Sequence, residues 1–272
     1  MSLLLRDELR IALNPEHVTL ERLGRGFRPA VKDRQVVPCT APLRDEAPWA
    51  KALESLESGL ARLNREKLGA QVVLSNHFVR YALLPWNDQI SDQREEQAFI
   101  RHCFARTYGE EAQRWVFRLS PCGYGKTRVA CAIDQGLLDG LDRITSAHGV
   151  RVVSLQPAFM AAFNQWRRQI RDSVAWFVVA EPGRLCLSLL QQGSWCNLRT
   201  MKTGTDWQQA LRKLLEREFL VSGTGTERGT VYLFAPGMGP EVDLPDWNVR
   251  QLGSTSTGAR VDIADLALNM SE

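Results

Sequence analysis

The string with the most chemical promise is Gly123-Tyr124-Gly125-Lys126-Thr127, which ends like a phosphate-cradling loop. Such a loop needs a glycine five residues before its second glycine, where this chain has Ser120. It also needs a strand before it and a helix after it, so that backbone N–H groups and the helix N-terminus converge on phosphate. Both flanks here alternate like strands, so the string reads as a hairpin turn. The four histidines, His17, His77, His102 and His148, show neither the i, i+3/4 nor the C-x-x-C spacing that lets ligands meet on a metal. No metal site is therefore expected. A Cys/His nucleophile pair stays open on spacing alone, and no G-x-S-x-G elbow occurs. Asp88, Asp92, Asp134 and Asp139 lie where turns and helix caps are expected, which accounts for them without catalysis. Of the eight tryptophans, Trp49, Trp176 and Trp207 fall on apolar faces. Trp86 and Trp195, beside turns, are the candidates for contact residues.

The elements that must position these groups follow from periodicity. Leu9, Ile11 and Leu13 alternate, then Val18 and Leu20 after Asn14-Pro15, which predicts two strands and a tight turn. A third strand is expected around Gln35 to Pro38. Trp49, Leu53, Leu56, Leu60 and Leu63 recur at helical spacing. Strands follow at Gln71 to Leu74 and Phe78 to Leu84, then a helix capped by Ser91. Further strands are expected at Trp115 to Leu119 and Arg128 to Ile133, a helix capped by Asp134, and a strand from Val150. Residues Phe78 to Leu155 thus read strand, helix, strand, strand, helix, strand, the order of a ferredoxin-like unit. After a helix at Phe159 to Arg168, strands are expected at Val174 to Ala180, Leu185 to Leu190 and Ser194 to Thr200. A helix carrying Trp207 to Phe219 comes next, then strands at Thr230 to Phe234 and near Asn248 to Leu252, and a last helix at Ile263 to Asn269. Three antiparallel strands followed by a helix therefore occur twice, the mark of internal duplication.

The chain has 272 residues, and its 34 Lys+Arg against 31 Asp+Glu leave a net charge of +3. At about 150 residues per domain this length suggests two lobes. With so small a charge and no basic block, nothing points to nucleic acid or anionic lipid as a partner. The longest apolar run, Val174 to Ala180, is seven residues, where a spanning helix needs about 20. The N-terminal leucines meet Arg6, Asp7 and Glu8 too soon for a signal peptide. A cytoplasmic protein is expected, with its six cysteines reduced and mostly buried.

Three strings carry a resemblance: Val73 to Trp86 (VLSNHFVRYALLPW), Ser154 to Phe159 (SLQPAF), and Ala175 to Gly193. With the duplicated element order, they resemble the actin-like proteins of pilus and secretion assembly: PilM, the cytoplasmic domain of GspL, and the MshI group. The first string is most similar to the GspL and MshI branch. The resemblance implies an α/β (mixed α+β) fold of duplicated actin-like, ribonuclease H-like lobes. The first lobe would cover 1–172 with a ferredoxin-like insertion at about 78–155, and the second 173–272.

In active members two hairpins supply Asp-x-Gly to the phosphates and Mg²⁺, and a later glycine turn meets adenosine. The resemblance places these on Ala12-Leu13-Asn14, on Val179-Ala180-Glu181, and on Gly237-Met238-Gly239. Neither metal-positioning carboxylate is there, and Glu181 puts a negative charge where a glycine would admit phosphate. A degenerate nucleotide cleft near Asn14, Glu181, Gly237 and Gly239 is implied, with no catalytic residue and no cofactor. The alternative is an ATP-binding protein using Mg in a non-standard site, since a sugar or acetate kinase of this fold would need a cleft carboxylate that no motif supplies. The implied role is a non-catalytic scaffold of a type IV pilus (MSHA-like) or type II secretion platform. It would bind the cytoplasmic N-terminal tail of a PilN/GspM-like inner-membrane protein, and an assembly ATPase as a further partner. Contacts are expected on the inserted segment, with Tyr81, Leu84 and Trp86 as the named residues. The protein would be cytoplasmic and peripheral to the inner membrane. Because GspL continues into a membrane helix and this chain shows none, it is expected to be a separate PilM-like protein or a soluble fragment.

Overall fold

The computed structural model describes residues 7–24, 30–63, 67–90, 92–121, 123–223, 225, 227–238 and 242–253. Ser91, Gly239 and the helix expected at Ile263 to Asn269 lie outside them. The described residues form two compact units, 7–79 with 133–161, and 80–132 with 162–253.

The first unit is built on β1 (Glu8–Leu13), β2 (His17–Leu23), β3 (Val31–Pro38), β4 (Leu68–Leu74) and β8 (Val150–Pro157), in the order β3-β2-β1-β4-β8. β1 runs antiparallel to β2 and parallel to β4, with Ile11 opposite both Leu20 and Val72. On β1 and β4 nearly every side chain is buried, as expected of strands covered on both faces. Helix α1 (Ala50–Leu60) buries the predicted stripe of Leu53, Leu56 and Leu60, and Trp49 stands at its N-cap. Helix α3 (Gln135–Ala147) is capped as expected by Asp134, whose carboxylate accepts the Gly136 N–H at 2.8 Å. Its glycines face α1: a methyl group at Gly140 would lie 2.3 Å from Leu53 Cδ1, and one at Gly136 3.0 Å from the Trp49 ring.

The second unit repeats the plan with β9 (Val174–Glu181), β10 (Arg184–Gln191), β11 (Ser194–Lys202), β12 (Thr230–Phe234) and β13 (Asn248–Gln251), in the order β11-β10-β9-β12-β13. All eight residues of β9 are buried. One face packs Trp176, Val178 and Ala180 against Trp207, Leu211, Leu214 and Leu215 of α5 (Trp207–Ser222). On the other face Phe177 meets Phe163, ring centroids 5.5 Å apart, from the end of α4 (Ala158–Trp166). Each such large side chain contributes about 1.5–3 kcal/mol by leaving water.

The inserted segment has the expected element order, but its sheet has three strands: β5 (Val79–Leu84), β7 (Arg128–Asp134) in the centre and β6 (Trp115–Leu119). Helix α2 (Gln93–Tyr108) and a short 3-10 helix after it complete the group. The ferredoxin-like reading over 78–155 is narrowed, because β8 hydrogen-bonds to β4 as a parallel partner instead of entering this sheet. The order of elements does not say which open edge a strand joins. The apolar stripe of α3, buried in the first unit, carries β8 back to β4.

Among the described residues no helix is long and apolar enough to cross a membrane.

Candidate functional site

The inserted sheet is buried on both faces: α2 covers one, and Val79, Tyr81, Val129 and Ile133, which alternate onto the other, are at most 6% exposed. Ile100 and Phe104 of α2 pack on Leu84, Phe117, Ala130 and Ala132. The helix starts at Asp92, whose Oδ1 accepts the N–H groups of Arg94 (2.7 Å) and Glu95 (2.8 Å). A carboxylate cap with Glu95 and Glu96 in the first turn suits the helix dipole.

Of the three expected contact residues, Tyr81 (6% exposed) and Leu84 (2%) are buried and serve packing, whereas Trp86 is half-buried just past β5. Its indole N–H donates to Asp88 Oδ1. The hydroxyl of Tyr124 donates to the same oxygen at 3.1 Å, and the two rings sit 4.7 Å apart, tilted. The Arg128 guanidinium lies 5.9 Å from the Trp86 centroid and pairs with Glu96 at 2.7 Å. Tyr124 is 81% exposed. A phenol held by one hydrogen bond and one ring contact presents apolar area at low entropic cost, as protein-contact residues do.

This geometry explains the string that looks like a phosphate loop. Ser120 N–H donates to Val129 O (2.8 Å), Val129 N–H to Ser120 Oγ (3.0 Å), and Lys126 N–H to Gly123 O (3.3 Å). Gly125 takes φ +72°, which its missing Cβ permits. The segment joins β6 to its neighbour β7 as a hairpin, and the residues after it form a strand, so the helix N-terminus of a phosphate loop is missing.

The residues of the implied nucleotide cleft fall on both units and are described in each. In the first, Asn14 Oδ1 accepts the N–H groups of Glu16 and His17, both at 2.8 Å, and its amide nitrogen meets the His17 ring. The side chain is thus committed to closing its own turn. In the second, Glu181 ends β9 and is 2% exposed, followed by the Pro182-Gly183 turn with Gly183 at φ +74°. Gly237 has φ +70° with open space where a Cβ would stand.

The five described thiols are poor nucleophiles by environment, although, against expectation, only Cys186 is fully buried and Cys196 is exposed. Burial pushes Cys131 up to about 11 and Cys186 well above the usual thiol value, and raises Cys39, Cys103 and Cys196. His17 sits in the Asn14 turn, the backbone N–H of His77 donates to Ser75 Oγ (3.2 Å), His148 Nδ1 lies against Ile144 O (2.9 Å), and His102 is exposed on α2. Trp195 is half-buried, its ring 4.4 Å from Phe163.

Two of the strings behind the resemblance meet in space. Val73 and Leu74 of β4 pair with Gln156 and Pro157 of β8, and Asn76 Oδ1 accepts the Phe159 N–H at 3.0 Å, capping the first turn of α4 from 83 residues away. Sequence reasoning missed this cap, and the Trp86–Tyr124 contact, because neither partner is near the other along the chain.

No protein-family profile matches this chain, and no curated protein matches it in sequence. Among solved structures it is similar to the cytoplasmic domain of EpsL, an inner-membrane component of the type II secretion system of Vibrio cholerae. The identity is 13% and the TM-score 0.61, over 97% of this chain and 93% of that one. It is similar at 9% identity and TM-score 0.65 to a Bacteroides thetaiotaomicron protein of actin-like ATPase fold and unknown function, over 98% and 97% of the two chains. The PilM–PilN type IV pilus biogenesis complex contains a third, at 17% identity and TM-score 0.63, over 92% and 89%. The fold of this chain is actin-like: two similar mixed α/β sheets in duplicated lobes, as the resemblance implied.

Proposed function

We propose that this chain is an actin-like scaffold that works without turning over nucleotide. It joins a type IV pilus (MSHA-like) or type II secretion assembly platform to the cytoplasmic N-terminal tail of a PilN/GspM-like membrane partner. The supporting observation is likeness across nearly the whole chain to an EpsL cytoplasmic domain and to the PilM–PilN complex, at TM-scores of 0.61 and 0.63. On this reading the protein is cytoplasmic, reaches the inner membrane through its partner, and has the assembly ATPase as a second contact.

The docking surface proposed is the patch of Trp86, just past β5, and the exposed Tyr124 of the β6–β7 hairpin, with the buried Tyr81 and Leu84 fixing the strand behind it. The tail gains main-chain bonds from a sheet edge or side-chain pockets beside the aromatic pair. Titration calorimetry of the full chain against a synthetic tail peptide tests this. Tyr124→Ala and Trp86→Ala should each weaken binding about tenfold or more, the size of an aromatic hot spot. Wild-type affinity in both variants would remove the surface from consideration.

Non-catalytic status rests on Asn14 and Glu181, which offer a turn-closing amide and a buried carboxylate where active relatives of this fold offer Asp-x-Gly. A second reading, ATP with Mg in a non-standard site, draws on Gly237, whose positive φ and open flank suit close approach by a base. Thermal unfolding separates the two. A nucleotide at 100 times its Kd adds about 2.7 kcal/mol of stability, and an unchanged Tm in millimolar Mg-ATP leaves the scaffold reading standing.

A further inference from the structure

Beside the last turn of α5, two neighbouring side chains, Arg228 and Trp247, each bury an N–H donor with nothing to receive it. The Arg228 guanidinium lies against two rings, 5.3 Å from the Phe219 centroid and 5.2 Å from that of Trp247, and the rings meet edge-to-face at 6.0 Å, so the three groups form a triangle. Arg228 Nη1 and Trp247 Nε1 are both buried and neither has a hydrogen-bond acceptor. Trp247 is only 7% exposed. A buried donor without an acceptor costs stability, and native proteins leave few of them unless a ligand or water completes the site.

The surroundings hold this pair in place. The Arg228 carbonyl accepts the Trp176 indole N–H at 2.7 Å, and Trp176 meets Trp247 edge-on at 5.9 Å. Gly229 follows with φ +72°, where a Cβ would lie 2.4 Å from the Val174 carbonyl oxygen, so the backbone at Arg228 has little freedom. The nearest carboxylate in sequence, Glu227, faces Ser173 at 3.4 Å and is exposed. Next to Phe219 the helix ends in Leu220 and Val221, 81% and 73% exposed. A fixed positive charge, two waiting donors and adjacent bare apolar surface describe a receptor for one oxyanion carried on an apolar group.

We propose that Arg228 and Trp247 form a carboxylate-binding site at the C-terminal end of α5. Guanidinium and indole each donate one hydrogen bond, a charge-assisted arrangement that favours carboxylate over neutral acceptors. The proposal does not rest on the pilus or secretion reading, since it concerns a different part of the second unit.

The test is thermal unfolding of the full chain with sodium acetate as probe, against sodium chloride at equal ionic strength. Acetate at ten times its Kd should raise Tm by roughly 3 °C for a chain of this size, saturably. Arg228→Met, which keeps bulk and loses charge and donors, should abolish the rise. Trp247→Phe, which keeps the ring contacts and loses only the indole donor, should weaken acetate about tenfold and covers the case in which the arginine variant does not fold. A flat response, an equal rise in the variants, or a crystal grown in acetate with a water on both donors would each overturn the proposal. An acetylated, amidated Glu-Leu-Leu peptide against its Gln twin identifies the source. Tighter binding than acetate by the Glu form alone points to an acidic side chain of a partner protein. Binding of acetate with no gain in the peptide points to a free small carboxylate, and either pattern supports the site.

Discussion

The two five-stranded sheets have the same order and directions, yet they are stabilised differently. β1, β2 and β3 are laced by charge: Asp7 binds Arg22 (2.8 Å) and Lys32 (3.0 Å), and the buried Glu21 meets Arg34 at 3.3 Å. β9 and β10 are laced by apolar and aromatic side chains, with Trp176 and Phe177 completely buried. Their fourth-to-fifth-strand connections differ more. Residues 75–149 between β4 and β8 hold the inserted sheet and α3, whereas 235–247 between β12 and β13 form no helix or strand among the described residues. The two copies share one plan, and the place where one departs from the other carries the half-buried Trp86 and the exposed Tyr124. A connection tolerates such variation because it perturbs neither ladder.

The comparison can be broken at its core first. Trp176→Ala should cost about 4 kcal/mol in urea unfolding, through lost burial, a cavity and the orphaned Arg228 carbonyl, against about 3 for Leu56→Ala under the first sheet. The reverse ranking would mean the charge-laced sheet has the less forgiving core. Next come the glycines. Gly229→Ala should cost roughly 2 kcal/mol, since positive φ and a backbone carbonyl at 2.4 Å leave no relief, while Gly140→Ala should cost under about 1 because its obstacle is the movable end of Leu53.

Acid unfolding sharpens the electrostatic half. Hydrogen bonds from Lys32 and then Arg22 hold the Asp7 carboxyl below the usual value of 3.8, against the opposing effect of burial. Bonds from Thr230 and Tyr232 lower Asp172 in the second unit. A depressed carboxylate stabilises the fold fully above its unfolded pKa, and the gain disappears as pH falls through the folded one. Stability should therefore decline below about pH 4, and Asp7→Asn with Asp172→Asn should flatten that slope. At neutral pH Asp7→Asn should cost about 1–2 kcal/mol, modest because Lys32 is half exposed. Asn14→Ala should cost about 1 kcal/mol, from reopening the turn between β1 and β2. A much larger loss there would mean that Asn14 does more than close its turn.

Most of the element order was legible in the sequence because it depends on local periodicity. β6 and β12 match their predicted bounds, and α1 buries three of the four predicted leucines, Leu53, Leu56 and Leu60, ending before the half-buried Leu63. The helix cap slipped by one residue, to Asp92, because adjacent Ser and Asp are equally good caps and only the backbone chooses. The site was legible in part. Trp86 could be singled out as an aromatic beside a turn, but Tyr81 and Leu84 could not be recognised as buried, since they point to opposite faces of β5 and only long-range packing covers both.

Local composition and spacing suffice for strands, helices, turns and the doubling of the plan, since each reflects interactions within a few residues. Sheet membership required long-range structure: β8 found β4 across 75 intervening residues, and nothing in its own eight residues names that partner. The same holds for Tyr124 on Trp86, Asn76 on α4, and Arg228 beside Trp247. Those contacts depend on the ladders, which offset the chain entropy that otherwise keeps distant segments apart.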